Sequence, residues 1–314
     1  MKRIKVGVVG VGFFGRFHAE KYAAMEGVEL VGVADVDSSR ADEVAQRHRT
    51  RSFSDYRNLI DIVEAVSIAV PTCRHHPVAV DFFRQGVDVL LEKPIASTLE
   101  EADQLIELAE SKDLILQVGQ LERFNGALLA SQGMIQNPFC VESLRLSPFP
   151  GRGVDVDVVL DVMIHDIDIL LSLVSSDVRA IHATGKPVVT SQADTADARI
   201  EFENGCLAKL KASRVAEEKV RQTRIYQSSG TLTLDYLSQR AFFSPGEAVP
   251  EGRNDQSVCQ EIPVERVDLL ESELDSFIRS VRDRKRVRVS GREGRRALEV
   301  ALKITGKINE ETGN

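Results

Sequence analysis

The fold is decided by the stretch IKVGVVGVGFFG, residues 4–15. Its first half is a β-branched apolar run typical of a buried strand, and this run breaks directly into Gly10, Gly12 and Gly15. The residues after Gly15 favour a helix. A G-x-G-x-x-G motif between a strand and a helix lets the backbone approach a pyrophosphate at the positive end of that helix. The stretch therefore predicts a dinucleotide-binding βαβ unit.

An acidic residue stands where such a site needs one. Residues 28–34 form a second apolar run, and Asp35 follows it about 20 residues after Gly15. A carboxylate at this place accepts a hydrogen bond from the adenosine ribose 2′-hydroxyl and repels a 2′-phosphate. Arg40 keeps NADP open as an alternative, but the predicted cofactor is NAD. Ser38 is predicted to cap the next helix.

The remaining pattern divides the chain in two, as expected for 314 residues. Apolar strands alternate with helical stretches up to Gly119, which predicts an α/β domain with a parallel, doubly wound Rossmann sheet over residues 1–119. Beyond it, one apolar helix at 158–174 precedes a series of strand-like runs. We expect an α+β domain with a large, mostly antiparallel sheet over residues 120–314. Two helices, at 269–282 and 295–308, are predicted to close the chain.

Composition excludes several classes of partner. A net charge of −8 and a pI near 5.4 argue against nucleic acid, whose binding surfaces concentrate Lys and Arg. The four cysteines are far apart and form no C-x-x-C pair, so no disulfide framework or zinc knuckle is expected. A location in the reducing cytoplasm is expected. The apolar start of the chain is too short to span a bilayer, so no membrane partner is expected.

Two segments follow predicted strands at the edge of the sheet where ligands bind. The first is Glu92-Lys93-Pro94, which places Lys93 at that edge. The second is PTCRHH, residues 71–76, in which either His75 or His76 is expected to face the cofactor.

The apolar helix at 158–174 contains three residues that can carry chemistry. Spacings of four and three put Asp161, His165 and Asp168 on one face of an α-helix. Ionisable groups in a buried helix are costly unless they are paired or used. A core histidine bonded to a carboxylate and a zinc site are alternatives, and catalysis is favoured over both.

Together, the glycine motif, Glu92-Lys93-Pro94 and Asp161-x-x-x-His165-x-x-Asp168, in this order, resemble the Gfo/Idh/MocA oxidoreductase family over essentially the whole chain. The resemblance implies a Rossmann domain followed by an open-faced sheet domain, and NAD-dependent oxidation of a sugar or inositol hydroxyl. It implies that Lys93, Asp161 and His165 are catalytic, that His75 lies beside the dinucleotide, and that no metal is needed. We assign the cofactor contacts to Gly10, Gly12, Phe13, Phe14, Gly15, Asp35, Thr72, His75, Glu92 and Lys93.

The segments at 119–125 and 152–157 resemble a bacterial branch that contains UDP-N-acetylglucosamine 3-dehydrogenases. The substrate implied is UDP-N-acetylglucosamine or a close nucleotide sugar, oxidised at its C3 hydroxyl. The predicted substrate contacts are Arg123, Asn125, Arg152 and Asp168. Arg123 and Arg152 are candidates for the diphosphate, although either also fits a structural ion pair. Relatives often have His where Gln120 stands and Pro where Gly126 stands.

The residues suggest a division of labour. His165 is expected to take the hydroxyl proton, Lys93 to anchor the oxygen and Asp161 to orient the imidazole. Three other functions remain open: a dehydrogenase of a free sugar or inositol, an NAD-assisted glycosidase, and a non-catalytic dinucleotide-binding regulator. An open sheet face also predicts a homo-oligomer, a dimer or a tetramer.

Overall fold

The computed structural model describes residues 3–149, 151, 156–246 and 259–312. The chain forms two compact units, one of Met1–Leu121 with Asp268–Arg295 and one of Glu122–Val267 with Arg296–Asn314. The predicted division at residue 119 differs from this in two respects. The first unit continues to Leu121, and the segment Asp268–Arg295, which the prediction assigns to the second domain, belongs to the first unit.

The first unit is built on a parallel sheet with the strand order β3-β2-β1-β4-β5-β6. Its strands are β1 (Ile4–Val9), β2 (Val28–Ala34), β3 (Arg51–Phe53), β4 (Ala65–Ile68), β5 (Asp88–Glu92) and β6 (Leu116–Gly119). Its helices are α1 (Gly15–Ala24), α2 (Ser38–His48), α3 (Arg57–Ile60), α4 (His75–Arg84), α5 (Leu99–Ser111) and α8 (Leu269–Asp283), with a 3₁₀ turn at Thr72–Arg74. The strand order reverses between β1 and β4, which is where a doubly wound sheet opens a crevice for a ligand.

Helix α8 joins this unit through an apolar stripe. Leu274, Phe277, Ile278 and Val281 recur at the spacing of one helix face, and all four are buried in the core that contains β1 and β2. Burial of such a side chain contributes about 1.5–3 kcal/mol. The stripe predicts a buried helix but not which core buries it, so sequence reasoning placed α8 in the wrong domain.

The cap of α2 also differs from the prediction by one residue. Asp37, in extended conformation, is the N-cap, and its carboxylate accepts a hydrogen bond from the backbone N–H of Arg40 at 3.2 Å. Ser38 is already the first helical residue. Asp and Ser are about equally good caps, so residue type alone does not choose between neighbours.

The second unit is built on a mostly antiparallel sheet with the order β14-β13-β12-β11-β7-β10-β9-β8, in which β7 and β10 are parallel. Its strands are β7 (Cys140–Leu146), β8 (Val178–Lys186), β9 (Thr195–Phe202), β10 (Leu207–Ser213), β11 (Val220–Gln227), β12 (Gly230–Asp235), β13 (Arg240–Pro245) and β14 (Gln260–Ile262). Its helices are α6 (Gly126–Ser131), α7 (Ile164–Leu173) and most of α9 (Gly291–Thr312), with 3₁₀ turns at Leu121–Phe124 and Gln132–Met134. One sheet face packs with α7 and α9 in a common core.

The apolar helix of the second unit begins with a wider turn. Residues Val159–Met163 form a π-helical turn, and the α-helix starts at Ile164. The argument from α-helical spacing therefore holds for His165 and Asp168 but not for Asp161. In the described parts of the chain, no helix is both long and apolar enough to cross a membrane.

Candidate active site

A cleft of about 660 Å³ opens in the first unit at the carboxyl ends of β1, β2 and β4. It lies at the reversal of strand order, where dinucleotides bind in this architecture. The residues that line it include Gly10, Gly12, Phe13, Phe14, Asp35, Arg40, Pro71 and Val78. The cleft thus contains five of the predicted cofactor contacts.

The three glycines of the motif fit a bound pyrophosphate. Gly10 has a φ of +82°, and a Cβ there would lie 2.8 Å from the backbone of Ala69. A Cβ on Gly15 would overlap the carbonyl oxygen of Gly10, so the start of α1 can approach β1 only with glycine at this position. A Cβ on Gly12 would meet nothing within 4 Å, because this residue faces the open cleft. Helix α1 has no acidic residue in its first turn, so its N-terminus favours an anion.

Asp35 is held firmly at the end of β2. Its Oδ2 accepts from the backbone N–H of Val11 and its Oδ1 from that of Asp37, both at 2.9 Å. The Arg40 guanidinium lies 3.4 Å from both carboxylate oxygens and is half exposed. The carboxylate and the guanidinium that would govern the choice between NAD and NADP therefore share one pocket.

The Glu92-Lys93-Pro94 segment covers a buried polar cluster. Glu92 ends β5, and its Oε2 accepts from the backbone N–H of Lys93 at 3.3 Å. Its Oε1 lies 3.1 Å from Nε2 of the fully buried His18. Burial and the negative charge of Glu92 raise the pKa of Glu273, a buried residue of α8. Lys93 itself is half-buried.

His75 connects two strand ends of the same unit. It is buried, with Nδ1 2.9 Å from the carbonyl oxygen of Pro94 and Nε2 2.9 Å from that of Val70. Burial lowers the pKa of this imidazole. Thr72 and His76 are half-buried. His75 thus links the end of β4 to the segment that carries Lys93. The contact of His75 with the cofactor stays a prediction.

In the second unit, the three chemistry-bearing residues of the apolar helix differ in their surroundings. Asp161, in the π-helical turn, and His165, in α7, are half-buried. Asp168 is buried, and Nη1 of Arg123 lies 3.3 and 3.4 Å from its two carboxylate oxygens. Among the described residues, no cluster of three or more His, Cys, Asp or Glu side chains is suited to hold a metal ion.

Several predicted substrate contacts are structural instead. Arg123 is only 10% exposed and pairs with Asp168, which favours the ion-pair interpretation for both residues. Asn125 is fully buried and caps α6 by accepting from the backbone N–H of Ala127, while its amide donates to the Tyr236 carbonyl. Neither Asn125 nor Asp168 is therefore exposed to a substrate. Arg152 lies outside the described residues.

Sequence reasoning missed a buried charge network. Arg145, on β7, makes two 2.9 Å hydrogen bonds to Asp166 of α7. Its Nη1 donates to Oε1 of Glu122, which also accepts from Nη1 of Arg221 on β11. Asp166 inside an apolar helix was a signal for such a network, since a buried charge needs a partner.

The structure places the predicted catalytic residues on both units. Lys93 belongs to the first unit, and Asp161 and His165 belong to the second. Their convergence on one substrate oxygen stays a prediction.

Comparison with known proteins identifies the family. Residues 4–120 match the model of an oxidoreductase family with an NAD-binding Rossmann fold, and residues 145–233 match the model of the GFO/IDH/MocA C-terminal domain. The UDP-N-acetylglucosamine 3-dehydrogenase of Acidithiobacillus ferrooxidans is 37% identical over 309 residues, which cover 97% of each chain. The chain belongs to the Gfo/Idh/MocA oxidoreductase family. Membership confirms the predicted fold class and NAD as the cofactor.

Solved structures agree with this placement in the Gfo/Idh/MocA family. A structure of the same Acidithiobacillus enzyme superimposes with a TM-score of 0.91 over 99% of both chains, at 35% identity. A scyllo-inositol dehydrogenase from Lactobacillus casei with bound NAD(H) and scyllo-inositol shares the fold, with a TM-score of 0.82 at 21% identity over 99% of this chain and 98% of that one. Among curated relatives, the myo-inositol 2-dehydrogenase of Thermotoga maritima is 26% identical over 98% of this chain and 97% of its own.

Proposed function

We propose that this protein is an NAD-dependent dehydrogenase that oxidises the C3 hydroxyl of UDP-N-acetylglucosamine or a close nucleotide sugar. The observation that carries the proposal is the full-length likeness to a UDP-N-acetylglucosamine 3-dehydrogenase, at 37% identity. The inositol dehydrogenase that matches over a similar length is only 26% identical. Fold alone does not separate these substrates, so the proposal rests on the closer sequence likeness.

Three side chains supply the chemistry in this proposal. His165 accepts the hydroxyl proton, since the neutral imidazole is the side chain most often used as a general base. Lys93 donates a hydrogen bond to the same oxygen and stabilises its developing negative charge. Asp161 orients the imidazole and stabilises its charged form. NAD, when bound, accepts the hydride from the sugar carbon.

The cofactor contacts proposed for the first unit form a continuous path. The glycine motif with Phe13 and Phe14 holds the pyrophosphate, and Asp35 accepts from the adenosine ribose. The contacts proposed for the nicotinamide half are Thr72, His75, Glu92 and Lys93. In support, the first three of these follow β4 and end β5, on the opposite side of the strand-order reversal from Asp35.

Substrate comparison tests the proposal. NADH formation is measured at 340 nm with UDP-N-acetylglucosamine, free N-acetylglucosamine and myo-inositol, each coupled to a ketone-consuming transaminase or trapping reagent. We expect the nucleotide sugar to be oxidised fastest, because remote contacts lower the barrier at the reacting carbon. Faster oxidation of myo-inositol or the free sugar would identify the second candidate, a dehydrogenase of those substrates. An NAD-assisted glycosidase would cleave its substrate without net NADH, and a regulator would bind NAD without turnover.

We infer that a second copy of the chain covers the open face of the second unit's sheet. That face has a hollow of about 620 Å³ lined by charged residues in cross-strand pairs, such as Lys209 with Glu142 and Lys211 with Asp197. Light scattering should give a molar mass that is a multiple of the 34.7 kDa chain mass, and the double variant Lys209→Glu, Lys211→Glu should have a lower molar mass.

We place the protein in the cytoplasm, in keeping with its four free thiols.

A further inference from the structure

One guanidinium in the buried charge network of the second unit is open to solvent. Arg145 is buried, and all three of its guanidinium nitrogens donate hydrogen bonds: Nε and Nη2 to Asp166, and Nη1 to Glu122. Arg221 pairs with Arg145 across the two strands and reaches the same Oε1 of Glu122 at 3.1 Å. Its side chain is 37% exposed, whereas that of Glu122 is 5% exposed. The carboxylate thus fixes one end of the guanidinium and leaves the other end facing water.

This exposure distinguishes Arg221 from similar arginines in the unit. Arg123, Arg145 and Arg214 also pair with buried carboxylates, and their side chains are at most 10% exposed. Among the described arginines of the second unit that pair with buried carboxylates, Arg221 therefore offers the most accessible donors to a ligand.

The network ties Arg221 to the catalytic helix. From Arg221 it runs through Glu122 and Arg145 to Asp166. Asp166 is next to His165 in α7. Arg221 is therefore held in register with the helix that carries the proposed general base, through side chains that are themselves buried.

Electrostatics favour an anion at this point. Burial and the positive charge of Arg145 lower the pKa of Arg221, while Glu122 acts in the opposite sense. The bond to Glu122 uses Nη1 of Arg221, so the other guanidinium donors of this half-exposed side chain remain available to a ligand. A phosphate is a good match, because guanidinium makes paired, charge-assisted hydrogen bonds to its oxygens.

We propose that Arg221, oriented by Glu122, binds the diphosphate of the nucleotide-sugar substrate. The inference rests on the proposed function and names the residue that would distinguish a nucleotide sugar from a free sugar. In this role Arg221 takes the place of Arg123, whose guanidinium is hydrogen-bonded to Asp168.

The test measures UDP binding to the NAD-loaded enzyme by calorimetry and steady-state kinetics with UDP-N-acetylglucosamine and free N-acetylglucosamine. Charge-assisted hydrogen bonds contribute about 1.5–3 kcal/mol, so Arg221→Gln should raise the Kd of UDP and the KM of the nucleotide sugar by about 10- to 100-fold. Arg221→Lys should lose less, because the charge remains. Neither variant should change kcat/KM for the free sugar, the Kd of NAD or Tm by much.

Arg296→Gln is the matched control. Arg296 lies on α9 in the same unit, and its side chain is 40% exposed and pairs with Asp177. This variant should bind UDP like the wild type. Equal UDP affinities for the wild type and Arg221→Gln would overturn this inference and leave the proposed function intact. An equal loss of kcat/KM with the nucleotide sugar and the free sugar would also overturn it, because such a loss indicates a general disturbance of the site. A wild-type enzyme that binds neither UDP nor UDP-N-acetylglucosamine would overturn the proposed function and this inference together.

Discussion

The choice between NAD and NADP should depend on the charge of Asp35. Its two oxygens are fixed by the N–H groups of Val11 and Asp37, so the carboxylate does not turn away from a cofactor that enters the cleft. Two unit charges 4 Å apart interact by about 4 kcal/mol at the effective dielectric of a protein surface. Arg40, 3.4 Å away, offsets part of this repulsion. We therefore expect about 3 kcal/mol, or roughly 100-fold, in favour of NAD.

Two substitutions separate charge from shape. Asp35→Asn removes the charge at nearly constant volume, and Asp35→Ser also makes room for a phosphate beside Arg40. Both should narrow the ratio of the NADP and NAD dissociation constants by at least about tenfold, with a larger effect for Ser. Asp37→Asn is the control, because Asp37 also contacts Arg40 but is half exposed, and asparagine preserves the cap of α2.

Fluorescence titration with NADH and NADPH measures these ratios, and the chain has no tryptophan to interfere. Equal affinity of the wild type for both cofactors would refute the reasoning. So would a ratio that stays the same in Asp35→Ser, because Arg40 would then govern the pocket.

Three further predictions concern catalysis and stability. Lys93→Ala and His165→Ala should each lower kcat at least ~100-fold, and His165→Ala should do so without weakening NAD binding. A His165→Ala enzyme with near-normal turnover from pH 6 to 9 would show that the proton leaves by another route. Because the folded-state pKa of Glu273 is raised, the native state holds a proton that the unfolded chain releases, so this group makes stability fall as pH rises above about 4.5, by up to about 1.4 kcal/mol per pH unit. Urea unfolding from about pH 5 upward should show a flatter pH dependence for Glu273→Gln than for the wild type or for the exposed control Glu107→Gln, and parallel curves would contradict the raised pKa. Asp194→Asn should lower the free energy of unfolding by roughly 3 kcal/mol, since this buried carboxylate accepts from three backbone N–H groups and from Arg214, and a loss below about 1 kcal/mol in urea unfolding would contradict that role.

The sequence by itself determined those features whose causes are local. The glycines at 10, 12 and 15 indicate a pyrophosphate turn because only backbone geometry and immediate neighbours are involved. Asp35 and Glu92-Lys93-Pro94 follow from the same logic, since each ends a strand that its own residues predict. The family resemblance added the roles of Lys93 and His165, which spacing alone left open.

Only the tertiary structure decided which distant groups meet. The stripe on α8 shows that this helix is buried, but its burial in the first unit depends on contacts with α1, near the opposite end of the chain. Arg123 and Arg221 are the same residue type, yet one is enclosed by Asp168 and the other is open to solvent. The spacing of apolar residues shows that a side chain faces inward. Which residue that side chain contacts depends on packing between elements that lie far apart in the sequence.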